Sequence, residues 1–392
     1  LTYEMWRAAP QGMQQALLQA VNAVLTGGAI PREMKETLVA LLPKEEGKEH
    51  ILEKLRPICL MQTIMKLVTK VWDERIRRAF SAHGVMHPAQ EGNRDRRNTR
   101  RQVLRLQTLI QMSMRRKQKL YVVYLDFENY FNSLPIEKTL TILAKLGIPA
   151  EEVDMLRRYF ADVNFQIRDQ RGNVSARIPL RRGFRQGDPI SPLLGSIIAE
   201  CLSRLLDYQG LGFTGEDGAQ HSHLFFVDDL TCAAWGAEVM QRYLDVIAEF
   251  CAWLGISVNL EKTEVCGYDY GSQLELDVSM LRLNGQPLKC LRPSEPFKYL
   301  GIRLSLIGGW VAEKCHVFES SRTMVERLKG HTYSPAQICW VIGACVVSKF
   351  RYSCAFVDWR PDELEELAQL WVRAYRYAYK VRKKDPEGLP TR

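Results

Sequence analysis

No two of the ten cysteines stand in a C-x-x-C arrangement. That argues against a zinc ribbon or a disulfide framework and for a reducing compartment, nucleus or cytoplasm, with most thiols serving as small core residues. No apolar run reaches membrane-spanning length and no signal peptide is recognisable, so no membrane partner is expected. Internal repeats and low-complexity tracts are absent too. The first residue is Leu1 rather than Met, as expected of a processed product or a fragment of a longer polypeptide.

What is there is ordinary in bulk. The 392 residues are 46% hydrophobic and 25% charged, enough for a sizeable core in more than one lobe. Lys and Arg total 54 against 45 Asp and Glu, a net charge of +9 that favours an anionic partner such as nucleic acid. The excess is concentrated. Residues 94–119 carry ten basic side chains, among them Arg96, Arg97, Arg100 and Arg101, against the single acid Asp95. Apolar residues interleave with them, so the stretch reads as a basic arm entering an amphipathic helix that contacts phosphates.

Along the chain, residues 1–42 read as helical, and a helix is expected from about Thr63 to Phe80. Leu120–Leu125 reads as a buried strand ending in Asp126. Two helices follow, then a hairpin around Arg171-Gly172-Asn173 and a helix from Ser191-Pro192 to about Tyr208, with Ser191 at its cap. A second apolar run, Leu224–Val227, ends in Asp228-Asp229 and returns through Leu230–Ala234 as a hairpin. Helix is expected over Val239–Leu254 and a strand at Ile256–Val258. Residues 274–304 are β-rich around the turn Asn284-Gly285. From Gly309 the pattern is helical, with a good cap at Ser334-Pro335.

Adjacent carboxylates are costly to keep ionised unless a cation neutralises them. Asp126 and the pair Asp228-Asp229, each at a strand end, form a distributed set. Hard oxygen ligands of this kind suit Mg2+ or Mn2+, and carboxylates at the ends of neighbouring strands suit two-metal phosphoryl transfer. Between them lies Arg181–Pro192, a basic loop whose glycines allow close backbone approach to a ligand. His83 with His87, and His221 with His223, lack partners at metal spacing and read as structural or solvent-facing.

The ordered pieces resemble a known family, the reverse transcriptases. Leu125-Asp126-Phe127-Glu128-Asn129-Tyr130-Phe131-Asn132 resembles its first catalytic palm motif, Gln186-Gly187-Asp188-Pro189-Ile190-Ser191-Pro192 its Q-G-x-x-x-S-P motif, and Phe226-Val227-Asp228-Asp229 its aromatic-x-D-D motif. Leu254–Thr263 is similar to the lysine-bearing motif that follows, and Phe297-Lys298-Tyr299-Leu300-Gly301 to the primer grip. Upstream, Leu42-Pro43-Lys44 and Leu55-Arg56-Pro57-Ile58 resemble fingers motifs. Seven pieces in the family's order are specific, although each alone is weak. The approach segment Gly28-Ala29-Ile30-Pro31 and Leu125-Asp126-Phe127-Glu128 lean towards the non-LTR retrotransposon and group II intron branch.

The resemblance implies a mixed α/β (α+β) right-hand polymerase. Residues 1–120 would be N-terminal extension and fingers, 121–305 a palm with an antiparallel sheet (and a fingers segment at about 150–185), and 306–392 a helical thumb. Asp126, Asp228 and Asp229 would ligate two Mg2+ ions, with Mn2+ as the alternative, and Lys262 would protonate pyrophosphate. Lys44 and Arg56 would neutralise triphosphate oxygens, and Phe127, Phe131, Gln186 and Gly187 would line the nucleotide pocket. The Phe131 ring would clash with a ribose 2′-OH. Arg96, Arg97, Arg100, Arg101, Phe297, Tyr299, Leu300, Gly301, Arg376 and Lys380 would contact an RNA template and a DNA or RNA primer extended with dNTPs. Oligomeric state is open. The pattern departs from the family at Tyr130, Asn132 and Val227, and no endonuclease, RNase H or zinc-knuckle sequence is found. Two alternatives stay open: a maturase-like or domesticated RNA-binding protein with reduced or no polymerase activity, and an RNA-dependent RNA polymerase.

Overall fold

The computed structural model describes residues 3–44, 47–48, 50–169, 171–214, 220–329 and 333–378. The chain divides into two compact units. The first comprises Leu1–Asn98, Tyr121–Val265 and Val278–Cys290; the second comprises Thr99–Leu120, Cys266–Asp277 and Leu291–Arg392.

The first unit holds two larger sheets and two two-stranded hairpins among its described residues. In one of the larger sheets, the strand order is Leu55–Leu60, Glu36–Pro43, Asn164–Arg168, Ile178–Pro179. Glu36–Pro43 runs antiparallel to Leu55–Leu60, with Pro43 opposite Leu55, and parallel to Asn164–Arg168, with Glu36 opposite Asn164. Residues 36–43 therefore correct the expectation of helix through residue 42. Leu38-Val39-Ala40-Leu41-Leu42 is too short an apolar run for its period to decide, and pairing on both edges settles it as strand.

The other sheet carries the strand-end carboxylates. The strand Lys119–Leu125, of which Tyr121–Leu125 lies in this unit, pairs antiparallel with Asp229–Ala234, Leu125 standing opposite Leu230. Asp229–Ala234 pairs in turn with His223–Phe226, and Phe226 faces Asp229 across a two-residue turn, Val227-Asp228. The helix Ser191–Tyr208 buries Leu193, Leu194, Ile197, Ile198, Leu202 and Leu206. Almost every turn of it is apolar, so it lies inside the unit rather than on its surface. Ser191 is not its cap. Its hydroxyl instead donates to the Arg185 carbonyl at 2.9 Å, and its N–H donates to the Asp188 carbonyl at 3.1 Å, closing the Arg185–Asp188 loop on itself. Ile256–Val258 forms one isolated bridge, Val258 with Phe127, in place of the expected strand.

The second unit is mainly helical. The helix Thr99–Arg115 turns Val103, Leu106, Leu109 and Ile110 inward and its arginines outward. A hairpin pairs Phe297–Tyr299 with Ile302–Leu304 around Leu300 and Gly301, whose φ values of 47° and 90° suit a type I′ turn. The helices Val311–Lys329 and Pro361–Ala378 flank a third that begins at Pro335. Ser334 caps that third helix in a full capping box with Gln337. Val325, Leu328, Ile338, Ile342, Val346 and Ala374 form the core between them. No helix among the described residues is long and apolar enough to cross a membrane. All ten cysteines are free thiols.

Candidate active site

Two carboxylates meet at the strand ends of the first unit. Asp126 follows the central strand. Its backbone is fixed by the segment after the Val258 bridge: Asn259 N–H donates to the Asp126 carbonyl at 2.8 Å, and Asp126 N–H donates to the buried Thr263 hydroxyl at 3.3 Å. Glu128 N–H likewise donates to the Ser257 carbonyl at 2.8 Å. Asp228 sits in the two-residue turn. Burial pushes its carboxyl above the usual carboxylate range, and the nearby charge of Asp126 pushes it further. Lys262 Nζ stands 3.6 Å from Asp126 Oδ2, with both groups partly open to solvent (61% and 39%). So exposed a pair is weak.

The donor set fits a divalent cation. No three His, Cys, Asp or Glu side chains among the described residues are close enough to hold one ion alone. Asp126 and Asp228 come together; Asp229, exposed on the return strand, does not complete a three-ligand cluster with them. Mg2+ is commonly held by one or two carboxylates together with water and substrate phosphates, so two converging carboxylates suffice for a site completed by substrate.

The turn itself is strained. Val227 has φ +60°, while its neighbour Asp228 does not enter the positive range. A turn with positive φ only at its first central residue is the type that prefers glycine there, and a β-branched residue costs about 1–3 kcal/mol in it. The Val227 peptide is held by Gln90, a residue the sequence reading passed over. Ala89-Gln90-Glu91 runs beside the strand His223–Phe226, with Phe225 N–H donating to the Ala89 carbonyl and Glu91 N–H to the Phe225 carbonyl, both at 3.0 Å.

The expected departures have structural partners. Tyr130 is buried, and its hydroxyl donates to the Gly195 carbonyl at 2.8 Å. Burial drives that hydroxyl well above its ordinary pKa, and the Asp228 charge adds to the effect. Asn132 Oδ1 lies 3.5 Å from Gln186 Nε2, linking the Gln186-Gly187 loop to the segment after Asp126. The same loop is tied to the first sheet: Cys59 N–H donates to the Gln186 carbonyl at 2.7 Å, and a Cβ on Gly187 (φ +113°) would lie 2.8 Å from the Cys59 carbonyl oxygen. Phe131 is half-buried against the helix Ser191–Tyr208, where a Cβ on Gly195 would come within 2.9 Å of its ring. Phe127, by contrast, buries its ring against Tyr130, so only its backbone remains for a ligand. Lys44 and Arg56 are exposed on the antiparallel pair Glu36–Pro43 and Leu55–Leu60, Arg56 opposite Leu42 and Lys44 just past its end. A cavity of about 300 Å³ lies beside them, lined by Val39, Leu41, Cys59, Phe165, Arg182 and Gln186 among others.

Beneath the loop, Arg185 is buried rather than presented to phosphate. Its guanidinium reaches Thr37 Oγ1 at 3.1 Å and Asp188 Oδ2 at 3.3 Å, and lies 4.6 Å from the centre of the Tyr159 ring. The Tyr159 hydroxyl donates to the same Asp188 oxygen.

The expected nucleic-acid contacts divide. Arg96 is exposed. Arg97 is committed to the fully buried Glu91 carboxylate at 3.0 Å. In the second unit Arg100 donates to the Arg351 carbonyl at 3.2 Å and lies 5.9 Å from the Tyr352 ring centre, while Arg101 is exposed. Phe297 and Tyr299 turn their rings inward, a correction that follows from strand alternation: the outward residue between them is Lys298. Leu300 and Gly301 form the turn itself, and the Tyr352 hydroxyl donates to the Leu300 carbonyl at 2.8 Å. Arg376 is exposed on the last described helix; Lys380 lies outside the described residues.

Two of the histidines, one from each expected pair, pack against each other. His223 is buried and held to about pH 3 by burial first and by the charge of His87 second, against the pull of Asp207. Its ring stacks on His87 at 5.2 Å, its Nδ1 lies 2.7 Å from the Ser222 hydroxyl, and His87 Nε2 lies 2.6 Å from Asp207 Oδ2.

The chain is 27% identical over 362 residues to a Pol polyprotein from a type-1 R2 retrotransposable element of Popillia japonica, covering 88% of this chain and 49% of that one. It is 20% identical to the type-2 R2DM polyprotein of Drosophila melanogaster (91% and 32% covered) and 25% identical to a probable RNA-directed DNA polymerase from Drosophila transposon BS (62% and 27% covered). It thus spans half or less of the length of these relatives. Among solved structures, apo telomerase from Candida tropicalis aligns with a TM-score of 0.47 at 11% identity, covering 95% of this chain and 67% of that one. The family model described as reverse transcriptase (RNA-dependent DNA polymerase) matches residues 42–304, two-thirds of the sequence and all of the carboxylate site, and the chain belongs to that family.

Proposed function

We propose that this chain is the polymerase portion of a non-LTR-type retroelement protein, extending a primer 3′-OH with dNTPs on an RNA template. The observation that carries the reading is the convergence of Asp126 and Asp228 at adjacent strand ends, Asp228 desolvated and raised further by the Asp126 charge, and Asp126 paired with the exposed Lys262. Mg2+ bound there, two ions in the full reading and Mn2+ as a substitute, would supply the charge that lowers the pKa of the attacking hydroxyl and steadies the departing phosphate. The protein's own groups do the rest. Asp126 is held by Asn259 and Thr263, and Asp228 by the turn, so the ligand atoms are positioned before substrate arrives. Asp229, exposed beside them, takes a supporting role towards water or substrate. Lys44 and Arg56 take the triphosphate oxygens, the Gln186-Gly187 loop takes the nucleotide, and Phe131 stands under the sugar. Lys262, already near Asp126, gives a proton to the leaving pyrophosphate.

The fingers role goes to the sheet of Glu36–Pro43, the palm role to the carboxylate sheet, and the thumb role to the helices after residue 306. Arg96, Arg101, Lys298 and Arg376 are the exposed cations we assign to template–primer phosphates. Free thiols throughout support a reducing compartment, nucleus or cytoplasm.

Primer extension on an RNA template tests the reading, with dNTPs and then rNTPs, comparing the chain with Asp228→Ala. Extension with dNTPs that vanishes in the variant is expected. Hybrid binding without extension in Mg2+ or Mn2+ overturns it in favour of an RNA-binding protein.

A further inference from the structure

Gln90 is fully buried, and its carboxamide closes on one residue from both sides. Oε1 accepts from Val227 N–H at 2.9 Å, and Nε2 donates to the Val227 carbonyl at 3.2 Å. Oε1 also accepts from Gly92 N–H at 2.8 Å, which fixes the side chain against its own backbone. Both backbone polar groups of the strained residue are thus satisfied by a single planar group, as a neighbouring strand would satisfy them. Gly92 makes room for this: a Cβ there would lie 2.4 Å from the Val227 nitrogen. The segment is anchored in turn by basic residues of the arm. Arg94 donates to the carbonyls of His87 and Gln90 at 2.8 and 3.0 Å, and Arg97 pairs with the buried Glu91.

From this juxtaposition we infer that Gln90 is a positioning residue for the metal-binding carboxylate: it holds Val227 at positive φ and thereby aims the adjacent Asp228 at Asp126. The inference rests on the polymerase reading above. An unclamped Val227 relaxes to negative φ, because a β-branched residue has no other reason to stay in the left-handed region. Relaxation rotates the next peptide and carries the Asp228 carboxylate away from its partner. Gln90 is fully buried with its carboxamide on Val227 and Gly92, so it acts through the turn.

The test is a cycle in the full chain: wild type, Gln90→Ala, Val227→Gly and the double variant, read by single-nucleotide primer extension and by urea unfolding. Supporting groups around metal ligands are commonly worth 10- to 100-fold, so Gln90→Ala should lower kcat by about that factor with little change in KM for dNTP. Glycine adopts positive φ without strain. In the Val227→Gly background the same Gln90→Ala change should therefore cost about 3-fold or less, and the unfolding midpoints should show the same sign of coupling. Loss of packing around a buried glutamine would not be rescued by a glycine at 227. Equal losses of kcat in both backgrounds overturn the inference, as does a Gln90→Ala protein with unaltered kcat. A wild-type chain that binds hybrid but does not extend it fails the polymerase reading instead, and the inference falls with it.

Discussion

Replacing Arg185 with methionine should destabilise the first unit more than any surface charge change. The guanidinium and Asp188 are 3% and 2% exposed, and the cation is shared among Asp188, Thr37 and the Tyr159 ring. Methionine fills most of the volume but leaves the Asp188 carboxylate in the interior. Its remaining polar contacts there are the Tyr159 hydroxyl and the Ile190 N–H at 3.4 Å. Removing one member of a buried pair costs about 3–5 kcal/mol, chiefly because the other charge is stranded, whereas an exposed pair is worth about 0–1. Urea denaturation of Arg185→Met should show a loss in the first range, and adding Asp188→Asn should recover part of it because no stranded charge remains. Because Gln186-Gly187 is continuous with this network and hydrogen-bonded to Cys59, KM for dNTP should rise in the single variant. A loss below about 1 kcal/mol, or identical losses with and without Asp188→Asn, would refute the argument that the loop is held from beneath.

Other perturbations read different parts of the molecule. Asp228→Asn should raise the melting temperature in chelator while abolishing extension, since a carboxyl pushed up by burial and by Asp126 opposes folding when ionised; a lower melting temperature would contradict the repulsion. His223 gives a pH signature. Its folded value of about 3 lies below the unfolded value near 6.5, so between these limits the unfolded chain binds the extra proton. Stability should therefore fall as pH drops through that window, with a slope of up to about 1.4 kcal/mol per pH unit from this site. His223→Phe should flatten the dependence between pH 6.5 and 4.5, measured by urea midpoints, and an unchanged slope would locate the effect elsewhere. Phe131→Val should raise rNTP incorporation relative to dNTP in primer extension; an unchanged ratio removes Phe131 from the sugar contact.

The strand-end carboxylates were legible in the sequence because each follows an apolar run whose composition announces a buried strand, and the chemistry of paired acids does the rest. The glycine turn at Asn284-Gly285, the cap at Ser334 and the helices of the second unit were equally readable, since each is decided by residues within a few positions of one another. Residues 36–43 were not. Five apolar residues in a row carry no period, and it is pairing on both edges, with Leu55–Leu60 on one side and with Asn164–Arg168, more than a hundred positions away in sequence, on the other, that makes them a strand. Alternation within the short strand Phe297–Tyr299 is what separates Lys298 from its two inward neighbours.

Gln90 marks the deeper limit. Ala89-Gln90-Glu91-Gly92 has no periodicity, no cap and no charge pattern, and polar residues before a glycine ordinarily signify a solvated loop. Its meaning depends on a backbone dihedral at a valine 137 positions later. Nothing local reveals that angle, because valine is the residue least expected to adopt it. Conversely, the arginines of the arm that composition assigned to phosphate are partly spent inside the protein, as Arg97 is on Glu91. A count of charge cannot distinguish a cation that faces solvent from one that neutralises a buried acid. That difference bears directly on binding: among the basic residues of the arm, Arg96 and Arg101 should contribute to the salt dependence of hybrid binding, each by close to one unit of slope, and Arg97 should contribute to folding instead. Filter binding of Arg96→Ala and Arg97→Ala across a salt series separates the two roles, and a reduced slope for Arg97→Ala with unchanged stability would return that residue to the nucleic-acid surface.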